Sequence, residues 1–141
     1  MKHIIKSFLF ILLASAGLVA CEKDENRVIF EGGTNPVLTA STNAAQLSFI
    51  GADKNVLTLS WTNPEYQFNT GVNSMSVTYN LEIDTVGANF TNPKKQVISL
   101  GSDLSKTFKA SELNDIMLNK MDLLVGMSHN MEARVTSTLS T

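Results

Sequence analysis

The chain has 141 residues, 43% of them apolar, with 11 basic and 13 acidic side chains, two histidines and one cysteine. That length suits one folded domain. The single cysteine excludes a disulfide scaffold or a cysteine-rich metal site, and the acidic balance excludes a nucleic-acid partner, whose binder would be basic.

Fourteen of the first twenty residues are apolar, and the rest of the chain is rich in Ser, Thr and Asn but weakly charged, as suits an exported β protein. Residues 1–20 read as an export signal peptide: Lys2, His3 and Lys6 precede the apolar run Phe8 to Leu13 and then the small residues Ala14 to Gly17. The run breaks at Ser15 and Gly17, short of the roughly 20 apolar residues that a membrane crossing requires. It ends in Leu18-Val19-Ala20-Cys21, which resembles a bacterial lipobox. By that resemblance Cys21 is lipidated, its thiol forming a thioether to a diacylglycerol and its freed amine taking a further acyl chain. Several chains, each contributing about 0.8 kcal/mol per buried methylene, make a lasting anchor in outer-membrane lipid. An unmodified cysteine at a cleavage site is the plainer alternative.

Residues 21–27 hold this cysteine and a charged tether, Glu22-Lys23-Asp24-Glu25-Asn26, which cannot bury itself and stays solvated. The same few residues resemble the Lys-plus-acidic signal that sends Bacteroidota-type lipoproteins to the outer face of the outer membrane. An ordinary polar linker fits their composition equally well.

Residues 28–141 read as one folded domain of short strands. Val37 to Ser41 is a strand candidate, and Val56 to Thr62 alternates, with Leu57, Leu59 and Trp61 on one face. Met75 to Asp84 alternates without a fault: Met75, Val77, Tyr79, Leu81 and Ile83 against Ser76, Thr78, Asn80, Glu82 and Asp84. Lys95 to Leu100 and Ser105 to Lys109 follow, bounded by turn clusters such as Asn63-Pro64 and Asn92-Pro93. Ser111 is placed to cap a short crossover helix with Leu113, Ile116, Met117 and Met121 on one side. Met131 to Leu139 alternates again. The expected fold is all-β, an immunoglobulin-like or fibronectin III-like sandwich with one short crossover helix.

Such a sandwich normally has seven strands, and the count here lacks the last, the G strand. The strand from Met131 to Leu139 would then carry an unpaired edge. A truncated chain, a partner's strand, or Val28 to Phe30 filling the vacancy each account for it.

A lipobox, a charged tether and a sandwich containing Leu57-Thr-Leu-Ser-Trp61 and Tyr79-Asn-Leu-Glu-Ile83, with Ser111-Glu-Leu-Asn114 before the last strand, together resemble the N-terminal domain of SusE-type outer-membrane lipoproteins. The likeness covers most of the chain from Cys21 to Thr141. It implies a non-catalytic surface lipoprotein of a starch-like glycan uptake system, partnered by glycan-importer proteins and by polysaccharide. In that family the carbohydrate-binding domains follow the N-terminal one, so the implied role of this domain is a membrane-tethered spacer and docking module. The alternative class is a lipidated fimbrial subunit completed by donor-strand exchange.

The residues offer little to an enzyme. After the signal only His129 remains for a Ser-His-Asp set, and it reads as a surface histidine. Glu82 and Asp84 share a strand face, as paired carboxylates would, but alternate among polar residues like a solvated side. No phosphate loop, metal motif or cofactor signature occurs, so no cofactor, metal or catalytic residue is expected. Sugar contact generally uses aromatic faces. Trp61 shares the apolar face of its strand and is expected in the core. Tyr66 and Phe68, in the loop Asn63 to Gly71, are the candidate glycan contacts, against the plainer reading of loop aromatics folded over the sandwich edge.

Overall fold

The computed structural model describes residues 27–72 and 75–139; the export signal, Cys21 and the tether residues 22–26 lie outside them. Among the described residues nine strands and one short α-helix follow in order: β1 (Phe30–Gly32), β2 (Leu38–Ala40), β3 (Asn55–Trp61), β4 (Gln67–Phe68), β5 (Gly71–Val72), β6 (Val77–Thr85), β7 (Gln96–Ser99), β8 (Ser105–Lys109), α1 (Ala110–Asp115) and β9 (Met131–Leu139), with a 3-10 turn at Phe49–Gly51. They form three antiparallel sheets, β2-β3-β8, β7-β6-β9 and a small β1-β4-β5. The fold is an all-β sandwich, as the alternating segments predict.

The two larger sheets close over one core. β3 gives it Leu59 and Trp61, β6 gives Tyr79, Leu81 and Ile83, β8 gives Phe108, and the helical crossover gives Leu113, Ile116 and Met121. The alternation seen in the sequence explains this directly, because a period of two sends every second side chain to the same face. Trp61 and Tyr79 meet across the sheets with ring centroids 5.9 Å apart, so the expected burial of Trp61 is observed.

The crossover departs from expectation at its start. Ser111 lies inside the first turn, Lys109 is the cap residue, and no side chain caps the helix. Backbone carbonyls do that work: Ala110 N–H donates to Lys54 O and Ser111 N–H to Ala52 O, both at 2.9 Å. These bonds satisfy helix-end donors that a capping hydroxyl would otherwise serve. After Asp115 the helix widens into a π turn, Ile116–Lys120, which keeps Ile116 buried.

Val28 to Phe30 does not pair with β9 as a last strand would. β1 pairs instead with β4, Phe30 opposite Phe68. Among the described residues β9 is paired on one side only, with β6 over its whole length, Val77 opposite Leu139 through Thr85 opposite Met131.

Because Leu81 is wholly buried at the centre of the core, Leu81→Ala is expected to lower unfolding free energy by about 2–5 kcal/mol, whereas Val97→Ala, on the exposed side of β7, changes it by less than about 0.5 kcal/mol. Equilibrium denaturation of the two variants measures both.

Candidate functional site

The aromatic loop and the first described residues, Arg27 to Ile29, come together at one end of the sandwich. Asn69, in the turn between β4 and β5, clamps the incoming chain. Its side-chain amide donates to Arg27 O at 2.8 Å, its Oδ1 accepts from Ile29 N–H at 2.9 Å, and its own N–H donates to Ile29 O at 3.0 Å. Thr34 N–H donates to the carbonyl of the fully buried Pro64 at 2.7 Å. Gly33 is what permits that approach: a Cβ there would lie 2.6 Å from the Tyr66 ring and 2.8 Å from Pro64 O.

Tyr66 and Phe68, the two sequence candidates, are brought together with a third ring, Phe30, which packs edge-on against each at centroid distances of 5.5 Å. Their situations differ. Phe68 is buried under Phe30 by the β1–β4 pairing and presents no face to solvent. Tyr66 is half-buried; its hydroxyl lies 2.7 Å from Ser137 Oγ and donates to Ser137 O at 3.3 Å. The exposed ring is Phe30, 53% accessible. The sequence marks that segment only as a candidate strand, and a pairing partner 38 positions away leaves no local signal.

Beside Tyr66 opens a cavity of about 520 Å³, lined by Asn63, Glu65 and Gln67 on the loop and by Val77, Tyr79 and Leu139 from the sheet. Burial pushes the Tyr79 phenol above its ordinary range, with Tyr66 adding to the effect. Glu65 adopts a positive φ of 48° while its N–H donates to Asn63 Oδ1, which fixes the loop's turn. Amide and carboxylate groups around a partly accessible tyrosine are the chemistry that hydroxyl-rich ligands use. The described residues hold no cluster of metal-ligating side chains.

The two candidate carboxylates of β6 do separate structural tasks. Asp84 is fully buried, its oxygens accepting the N–H groups of Thr85 at 2.7 Å and Asn92 at 3.3 Å, so it organises the loop that folds over it. Glu82 accepts from Lys95 at 3.1 Å and from Arg134 at 2.8 and 3.1 Å, and the Arg134 guanidinium also stacks on Phe90. Burial works to raise the Glu82 carboxyl, but bonds and charge from Lys95 and Arg134 outweigh it, and the net shift is below the ordinary value of 4.5. A general acid for glycoside cleavage needs the opposite shift. His129 bonds to Leu124 O at 2.8 Å within its own loop.

A family model described as "SusE outer membrane protein" matches residues 23–136. The chain belongs to the SusE outer membrane protein family. It is accordingly an outer-membrane protein of a Sus-type system, and its matched region runs from Lys23 through the aromatic cap and the large sheets to Thr136 in β9. No curated protein and no solved structure matches the chain.

Two outcomes test this geometry. A carboxyl with a lowered folded pKa contributes stability that is complete above its unfolded pKa and lost as pH falls through the folded one. Acid titration of stability should therefore lose part of its slope below about pH 4.5 in Glu82→Gln. Asn69→Ala removes two side-chain bonds at the chain entry, at about 1 kcal/mol each, and is expected to speed amide exchange at Ile29 while leaving exchange at Leu81 unchanged.

Proposed function

We propose that this SusE family member is a non-catalytic lipoprotein of a glycan-uptake system, anchored through acylated Cys21, exposed at the cell surface and acting there as a tethered spacer and docking module beside the importer. The observation that carries the reading is the junction of two independent features: the lipobox Leu18-Val19-Ala20-Cys21 and a family match that begins two residues beyond it. Residues 1–20 act as the signal peptide, 21–27 as the lipidated tether and 28–141 as the sandwich. The mechanism is effective concentration, because a tether of a few residues holds the domain and whatever docks on it close to one membrane. The Asn69 clamp supports this role by joining the incoming chain at Arg27 and Ile29 to the folded body. Any glycan contact by this domain is assigned to the loop around Tyr66, which lines its cavity, and not to the buried Phe68.

The rival reading, a fimbrial subunit completed by a donated strand, draws on the open side of β9. Family membership favours the first reading. Palmitate labelling separates them: the chain is expected to take up label and to lose both label and membrane retention in Cys21→Ala. A mature protein cleaved far beyond Cys21 would support the fimbrial subunit. An unlabelled soluble pool would overturn the anchored spacer.

A further inference from the structure

Among the described residues, the side of β9 away from β6 has a defined pattern of free groups. Tyr79 turns both backbone groups toward β7, its N–H donating to Gly101 O at 2.8 Å and its carbonyl accepting from Leu100 N–H at 2.9 Å. Its cross-strand neighbour Ser137 therefore turns N–H and C=O away from β6, and so do Val135, Ala133 and Met131 at intervals of two. The Ser137 carbonyl is taken by the Tyr66 hydroxyl, which leaves Met131 to Val135 as the free run. Met131, Ala133 and Val135 pack on the core yet stay half-buried, while Leu81 and Ile83 opposite Val135 and Ala133 are buried. A neighbouring strand would complete their cover, and no proline, bulge or inward charge blunts the edge.

We propose that a second copy of this chain supplies the strand, two β9 strands pairing antiparallel about a two-fold axis at Ala133. In this register Ala133 faces Ala133, Met131 faces Val135 twice, and on the outer face Glu132 faces Arg134 twice. Arg134 already bonds Glu82 and Glu132 accepts from Asn89 N–H at 2.9 Å, so the cross-strand charges act by disfavouring like pairs, which repel, against opposite ones, which attract. The adjacent registers set Arg134 against Arg134 or Glu132 against Glu132, and a register centred on Val135 brings the incoming strand onto the Ser137 carbonyl, which the Tyr66 hydroxyl already approaches at 3.3 Å. Charge and the aromatic cap thus select the same alignment. The contact is small, of the weak and transient class in solution; confinement on one membrane raises its occupancy. Antiparallel pairing sends the two Arg27 ends to opposite ends of the joined sheet, so a tethered pair lies along the membrane. The pairing itself does not rest on the lipid anchor.

The test uses the full chain with Cys21→Ser, into which Glu132→Cys and Arg134→Cys are introduced separately. These positions face one another in a non-hydrogen-bonded pair, whose Cα spacing of about 4.5 Å suits a disulfide. Oxidation of the mixed variants is expected to give a linked species of twice the monomer mass, and oxidation of either alone to give none. Absence of the link in the mixture, or equal linkage in one variant alone, would overturn the proposal. As a measurement free of the β9 substitutions, amide exchange at Ala133 and Val135 in the Cys21→Ser chain should slow as protein concentration rises. Protection at high dilution in a particle of monomer mass would mean that another strand covers the edge, and fast exchange at every concentration would mean that nothing does; either result refutes the pairing.

Discussion

Burial of the inner face of β6 against β3 and β8 is the constraint from which the rest of the molecule follows. Tyr79, Leu81 and Ile83 all lie in the core, and Leu81 and Phe108 are wholly buried there. Because side chains alternate along a strand, a slip of one residue would move that whole row to the solvent side. The same alternation therefore fixes the register of β6 with β7 on one flank and β9 on the other. It also fixes which backbone groups of β9 face outward. The core, the polar outer face and the open edge are three consequences of one placement.

Against that rigid body, the end of the sandwich that holds Arg27 and Ile29 is built from long-range contacts of a different kind. Asn69 holds Arg27 and Ile29, Gly33 leaves room for the Tyr66 ring, and Tyr66 reaches Ser137 on β9. A single cap thus joins the entry of the chain, the aromatic loop and the last strand. The outer face of the same sheet is ordered by charge, with Glu82 held ionised between Lys95 and Arg134.

The strands were legible wherever a local period determined burial. β3, β6 and β9 fall within two residues of the segments read from alternation, β8 matches the segment marked off by turn clusters, and the helical crossover keeps the apolar side assigned to Leu113, Ile116 and Met121. What the sequence hid depends on partners far along the chain. The helix is capped by carbonyls of residues 52 and 54, which a search for a capping hydroxyl cannot find. Phe68 is buried by pairing with Phe30, and Asp84 by a loop that returns through Asn92, so residues read as loop and solvated face are both interior. Tyr66 was placed in the correct loop, but its bond to Ser137 spans 71 positions and fixes its orientation.

The central structural claim is that both large sheets share one core joined at Trp61 and Tyr79. Trp61 is the single tryptophan of the chain, so its fluorescence reports that junction alone, while far-ultraviolet circular dichroism reports all strands. In denaturant the account predicts that the two signals change in one coincident transition. A tryptophan transition that precedes the loss of β structure would mean that the sheets are stable apart, and would contradict it.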